Sequence, residues 1–253
     1  MRYLIGIDDT DNVDSRGTGF LARKLGASLE SSGFARLLGI TRHQLLVAPE
    51  IPYTSHNSSA CLLVELQAGQ AEGLAQVCRE FLIQESAPGS DAGLCLSPWE
   101  AVGATTQAFG AQAKREVMSA ALALDLARQA GLLLEGLTGT GCGVIGALAA
   151  VGLRAGGNDG RFIWLGGVRD VEGGRGDLGG VHLASALCAA TGIEAICTPG
   201  GASIPPAASV ELGGWVRPVL RGGEAVLLVE QVEEGRDDAW RVLSKAVIKN
   251  YSN

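Results

Sequence analysis

The stretch at residues 4–19, LIGIDDTDNVDSRGTG, constrains this chain more than any other. A short apolar run closes on Gly6 and Ile7 and delivers Asp8, Asp9 and Asp11, with Asp14 close behind, within about one loop's length. Like charges a few ångströms apart raise each other's pKa unless a cation neutralises them. The crowding therefore predicts either a site for a hard divalent ion, Mg²⁺ held by Asp8, Asp9 and Asp11, or a solvated turn rich in Asx hydrogen bonds. Thr18 would cap the helical pattern that follows. Thr10, Gly17 and Gly19 would then border a phosphate chain lying on that helix N-terminus.

The chain so begins as strand, loop and helix. Leu21, Leu25 and Leu29 recur every four residues and Gly33 ends the helix. Residues 37–47 read as a strand carrying Thr41, Arg42, His43 and Gln44, broken by Pro49 and Pro52. The polar run at 54–59 is a candidate binding loop, so His43, Tyr53, His56 and Asn57 are candidates for contact with a polar substrate. A strand at 60–66, a helix through Leu74, Cys78 and Leu82, and a strand at 92–96 predict half of a ferredoxin-like unit near 57–100. Phe109, Ala113, Val117, Ala120, Ala121 and Leu124 predict one long helix, with Lys114 and Arg115 off its apolar face.

Gly141, Gly143 and Gly146 spell G-x-G-x-x-G before a helical pattern. That spacing suits a dinucleotide site, but the preceding run has few β-branched residues and no acidic residue is placed about 20 positions on at a strand end. Close packing of a helix on a strand explains the glycines as well. Further on, residues 173–180 read as a glycine-rich surface loop, and Pro205-Pro206 as a boundary. Residues 210–220 and 224–232 predict a hairpin, and Trp240, Leu243 and Val247 a terminal amphipathic helix.

The expected class is α/β (α+β): mixed sheets with packed helices, a ferredoxin-like part and a small C-terminal region of hairpin plus helix. Its division is a catalytic domain at 1–180 and a small α/β region at 181–253. Hydrophobic residues make up 47% and charged residues 19%, no run of about 18 apolar residues occurs, and no signal peptide is visible, which predicts a cytoplasmic protein without membrane attachment. Six cysteines without C-x-x-C spacing read as small core residues. Twenty basic against 27 acidic residues, a formal charge of −7, argue against nonspecific nucleic-acid binding.

Gly6-Ile7-Asp8-Asp9-Thr10-Asp11 resembles the opening motif of the catalytic domain of the archaeal agmatidine synthase family, which modifies the wobble cytidine of an isoleucine tRNA. Pro49-Glu50-Ile51-Pro52-Tyr53, followed by Ala60, is similar to the family's N-P-x-I-P-Y/W-K-T-R-G-N-G-A segment, with Thr54 and His56 where the family has its lysine and arginine. Residues 143–152 and 162–169 resemble its glycine turn, helix and strand. The resemblance runs over roughly residues 1 to 170 and implies a shorter homologue without the family's OB-fold and zinc ribbon. It implies ATP and Mg²⁺ as cofactors, with Asp8, Asp9 and Asp11 on the metal. It further implies Lys114, Gly141 and Gly143 near the nucleotide, and Thr18 at the position of a threonine the family phosphorylates.

The function expected from these readings is that of a Mg²⁺-dependent, ATP-utilising phosphotransferase-like enzyme with a small polar metabolite as acceptor in preference to tRNA. Such chemistry asks for metal charge and positioning rather than a Ser or Cys nucleophile. Three alternatives stand beside it: an inactive nucleotide-sensing protein, the tRNA modification itself, and a nicotinamide-dependent oxidoreductase resting on Gly141, Gly143 and Gly146. The sequence leaves a homo-oligomer open.

Overall fold

Period-two alternation sets the first strand, β1 (Arg2–Asp8). Ile5 and Ile7 enter an aliphatic layer on one face, while Leu4 enters the layer on the other and Gly6 and Asp8 follow it there. A one-residue slip would drive Asp8 into the first layer, so the register is strongly specified. The computed structural model describes residues 1–51, 56–67, 69–168, 180–232 and 238–252.

After β1 come α1 (Thr18–Ser31), β2 (Ala35–Gln44), β3 (Ser58–Leu66), α2 (Ala71–Glu85) and β4 (Gly93–Pro98). The strands lie in the order β4-β1-β3-β2 with every neighbouring pair antiparallel. This is a complete ferredoxin-like βαββαβ unit and not the half expected near 57–100. Leu21, Leu25 and Leu29 of α1 and Leu74, Cys78 and Leu82 of α2 cover the same face of the sheet, closing on Ile5, Ile7, Ile40 and Leu62.

The opposite face takes α3 (Ala104–Gln112), α4 (Ala120–Ala130) and α5 (Val144–Gly156), with β5 (Leu133–Gly136) on the outer edge beside β4. The single helix expected through Phe109 and Leu124 is two. Phe109 and Ala113 are buried, but Val117 is 55% exposed, and α4 starts afresh where the Ser119 hydroxyl accepts the Leu122 amide at 3.2 Å. Apolar spacing alone continues across a break that a serine cap makes.

Strand β6 (Arg161–Trp164) pairs with β2 and carries the sheet on. The remaining elements are β7 (Gly180–Leu183), α6 (Ala184–Ala190), β8 (Ala195–Cys197), β9 (Ser209–Leu212), β10 (Val219–Arg221), β11 (Glu224–Gln231), β12 (Ala239–Val242) and α7 (Lys245–Ser252). The order runs β6-β10-β11-β12-β9-β7, with β8 against β11. Gly222 and Gly223, at φ of +60° and +85°, make the tight β10–β11 turn. The strand expected over 210–220 splits into β9 and β10, since Gly213-Gly214 and Pro218 interrupt it. Trp240 lies in a strand, buried with Val242 around exposed Arg241, so the terminal helix begins only at Lys245. The loop expected at 173–180 lies, apart from Gly180, outside the described residues. No helix among the described residues is long and apolar enough to cross a membrane.

Candidate functional site

Strand direction gathers the chemistry at one edge of the sheet. β1 and β2 both run antiparallel to β3, and β6 runs antiparallel to β2. The C-terminal ends of β1 and β2 therefore meet the N-terminal ends of β3 and β6, which brings Asp8, Arg42, Asn57 and Arg161 to a common rim.

Asp8 sits against the first turn of α5. A Cβ on Gly146 would stand 1.7 Å from Asp8 Oδ2, so only glycine lets the helix pass this close. Gly143 and Gly93 are pressed together in the same seat, where a Cβ on Gly93 would meet the Gly143 carbonyl carbon at 2.1 Å. The amides of Gly143 and Gly141 are already donated, to Asp91 O and Thr138 O, each at 3.0 Å. These glycines thus dock α5 on β1 and β4 and do not offer free donors to phosphates, contrary to the expectation for Gly141 and Gly143. The G-x-G-x-x-G spacing has the same origin. The strand before it, β5, is antiparallel to β4 and begins no parallel βαβ unit, which removes the structural basis of the nicotinamide reading.

Asp9 holds φ at +52°, the one non-glycine residue in the left-handed region among those described. Asp11 turns back to α1, its Oδ1 accepting the Thr18 amide at 3.1 Å and the Thr18 hydroxyl at 2.8 Å. The Thr18 oxygen in turn accepts the Thr10 amide at 3.3 Å and lies 3.1 Å from the Thr10 hydroxyl. The N-cap is Gly17, in extended conformation, and not Thr18, which is the first helical residue and is buried. Gly19 follows within α1, 3.2 Å from Ile163 if it bore a Cβ.

Burial first, then repulsion from Asp9 and Asp11, pushes the Asp8 carboxyl up to about 8, against the pull of a backbone hydrogen bond and of Arg42. Burial followed by Asp91 and Asp11 pushes Asp9 up to about 6. Negative charge is in excess here. Yet no three His, Cys, Asp or Glu side chains among the described residues converge as a metal cage, so Asp8, Asp9 and Asp11 are neighbours but not a joint ligand set. Mg²⁺ does not need one, because it commonly takes one or two carboxylates with waters and substrate phosphates. Asp8 and Asp9 fit that role, and Asp11 is committed to Thr18.

Two clefts flank the loop. Asp8 and Asp9 open into one of about 180 Å³ shared with Asn57, Glu50, Glu116 and Cys142. On the other side, Thr10, Asn12, Arg16, Phe20 and Lys24 line one of about 430 Å³, with the Arg16 guanidinium 3.6 Å from the Phe20 ring centre.

The remaining predicted residues are scattered. His43 is wholly buried, with Nε2 at 2.8 Å from Thr41 Oγ1 and Nδ1 at 2.9 Å from Asp159, and burial holds its pKa down. Both ring nitrogens are engaged, so it is a structural relay and not the substrate contact expected. Lys114 pairs with the same Asp159 and lines a cleft of about 750 Å³ with Gln44, Gln107 and Asn158, whose lining includes none of the loop aspartates. Asn57 clasps the chain, its Nδ2 donating to Leu46 O at 2.6 Å. His56 is exposed at the rim. Tyr53 lies outside the described residues. Sequence reasoning passed over Asp91, Arg42 and Arg161. Asp91 comes near Asp9 only through the fold, and the two arginines become neighbours only through β2–β6 pairing.

This arrangement, a ferredoxin-like sheet with an acidic loop at its rim and α5 seated on glycines behind it, is similar to part of solved structures of enzymes that act on tRNA. The likeness is to TiaS, the agmatidine synthetase of an isoleucine tRNA. The chain is 29% identical to TiaS in its complex with that tRNA and ATP, at a TM-score of 0.53, and 28% identical to apo TiaS at 0.51. It is 30% identical to a tRNA fluorescent labeling enzyme at a TM-score of 0.53. Each match covers 60% of this chain and 35% or 36% of the other, so the chain spans little more than a third of the length of these proteins. No protein-family model matches the sequence, and no curated protein does. These likenesses overturn the expectation of a small-molecule acceptor in preference to tRNA, since the structures resembled are those of tRNA-modifying enzymes, one held with tRNA and ATP. Net charge averages over the chain, whereas phosphate binding depends on where cations cluster.

Proposed function

We propose that this chain is an ATP-using enzyme, Mg²⁺-dependent, that modifies a nucleotide of tRNA. The observation that carries the reading is the juxtaposition of Asp8 and Asp9 with the N-terminal turn of α5, and of Asp11 with that of α1, in a fold shared over 60% of the chain with TiaS in its complex with tRNA and ATP. Mg²⁺, when bound, would supply the positive charge that a triphosphate and two carboxylates need between them and would polarise the phosphoryl group. Asp8 and Asp9 would hold it. Asp11 would position Thr18 and Thr10, fixing the loop that borders the phosphates through the hydrogen bonds described. The N-terminus of α1 favours negative charge, and Asp11 already accepts the Thr18 amide there. Phosphoryl transfer in such a site rests on positioning and electrostatics, which these residues provide without a side-chain nucleophile.

The test is release of ADP or AMP from ATP with Mg²⁺, in the presence and absence of unmodified tRNA transcripts. Turnover that depends on tRNA and disappears in Asp9→Asn is expected. ATP consumption indifferent to tRNA, or none with a full set of transcripts, would refute the reading.

A further inference from the structure

The C-terminal helix brings to the same rim a set of cations that the aspartate loop does not use. We infer that Arg42, Arg161, Lys245 and Lys249, with His56 at the edge, form a seat for the phosphodiester backbone of the RNA strand whose nucleotide is modified; the inference rests on the tRNA reading above.

Arg42 and Arg161 are direct partners across the antiparallel β2–β6 pair, so their side chains leave the sheet on the same face. Like charges directly opposite each other on a sheet cost stability. Arg161 is 6% exposed, and its Nη1 donates to Ser252 Oγ at 3.1 Å, which ties β6 to α7. Lys245, Lys249 and Ser252 stand at i, i+4 and i+7 and so share one face of α7. Because Ser252 on that face touches Arg161, the two lysines are turned the same way. Buried Ile248 anchors the helix from the adjoining face.

The four cations all act on the His56 ring, which, burial apart, is held away from protonation by Arg42, Lys249, Arg161 and Lys245. Arg42 also acts on Asp8, which joins the basic face to the acidic loop. A chain of net charge −7 thus concentrates cations from two strands and a helix beside its reactive edge. A polyanion laid there would meet cations from both strands and from α7 together. Single-stranded RNA, whose bases can be splayed into a site, is the partner this arrangement fits.

The probe is a short fluorescein-labelled single-stranded RNA, its affinity read by anisotropy between about 50 and 200 mM salt, where phosphate contacts dominate. In K245Q/K249Q we expect about tenfold weaker binding and a salt slope reduced by about 1.4, that is about 0.7 for each of two lost phosphate contacts. Calorimetric affinity for Mg²⁺·ATP should be unchanged. The double variant R128Q/R241Q, which removes two exposed cations elsewhere, should bind RNA like the wild type. Wild-type affinity and salt slope in K245Q/K249Q would overturn the assignment and leave the tRNA reading standing. A parallel loss of Mg²⁺·ATP affinity would overturn it by showing that the cations hold the nucleotide. A wild type that binds no single-stranded RNA would also overturn the assignment, while tRNA-dependent ATP turnover separately decides the tRNA reading.

Discussion

Replacing Gly146 with alanine tests whether the close seat of α5 is what positions Asp8. The added methyl would stand 1.7 Å from Asp8 Oδ2, 2.4 Å from its Cγ and 2.9 Å from its Cβ, so either the carboxylate rotates away or the helix lifts. Overpacking of this kind costs about 1–3 kcal/mol. Alanine is favoured over glycine in a helix by about 1 kcal/mol, so the net change is a loss of about 0–2 kcal/mol. Gly156 of the same helix is the reference, because a Cβ there has nothing within 4 Å. Gly156→Ala should gain up to about 1 kcal/mol, leaving a gap of about 1–3 kcal/mol between the two variants. Urea unfolding followed by circular dichroism measures the gap, and calorimetry with Mg²⁺·ATP should show weakened binding in Gly146→Ala alone. Equal stability of the two variants, with nucleotide binding intact in both, would refute the claim that this glycine exists to admit Asp8.

Asp8 ionises in the folded chain only near about pH 8, far above its ordinary 3.8, so folding favours its protonated form and stability falls as pH rises through that range. Metal-free Asp8→Asn should lose this slope, up to about 1.4 kcal/mol per pH unit for one group, and be the more stable protein at pH near 8; added Mg²⁺ should stabilise the wild type and not the variant. Thermal melts with and without Mg²⁺ check both halves, and a variant less stable than metal-free wild type at that pH contradicts the repulsion. His43 behaves oppositely to Asp8 with pH. Its pKa is held below 6.5, so the stability tied to the neutral ring is present above 6.5 and is lost as pH falls below it. His43→Gln should cost about 1–3 kcal/mol near neutrality, through the two buried hydrogen bonds lost to Asp159 and Thr41, with the deficit shrinking in mild acid. Urea midpoints across that range decide it, and a deficit that grows on acidification would show that the ring is charged in the fold.

Local pattern determined a good deal by itself. The alternation of Ile5 and Ile7 with Leu4 and Asp8, the four-residue spacing of Leu21, Leu25 and Leu29, and the Gly222-Gly223 turn are consequences of neighbours in the chain, and each is found in the fold. So is the aspartate loop, whose excess of negative charge needs only its own spacing to be seen. Tertiary structure alone decided what those residues meet. Gly146 reads as one member of a nucleotide motif until β1 places Asp8 beneath it, and His43 reads as a ligand until Asp159, 116 residues away, takes its Nδ1. Arg42, Arg161 and Lys249 carry no joint signal in the sequence, because their neighbourhood is made by strand pairing and by the docking of the last helix, which depend on long-range burial and not on spacing along the chain.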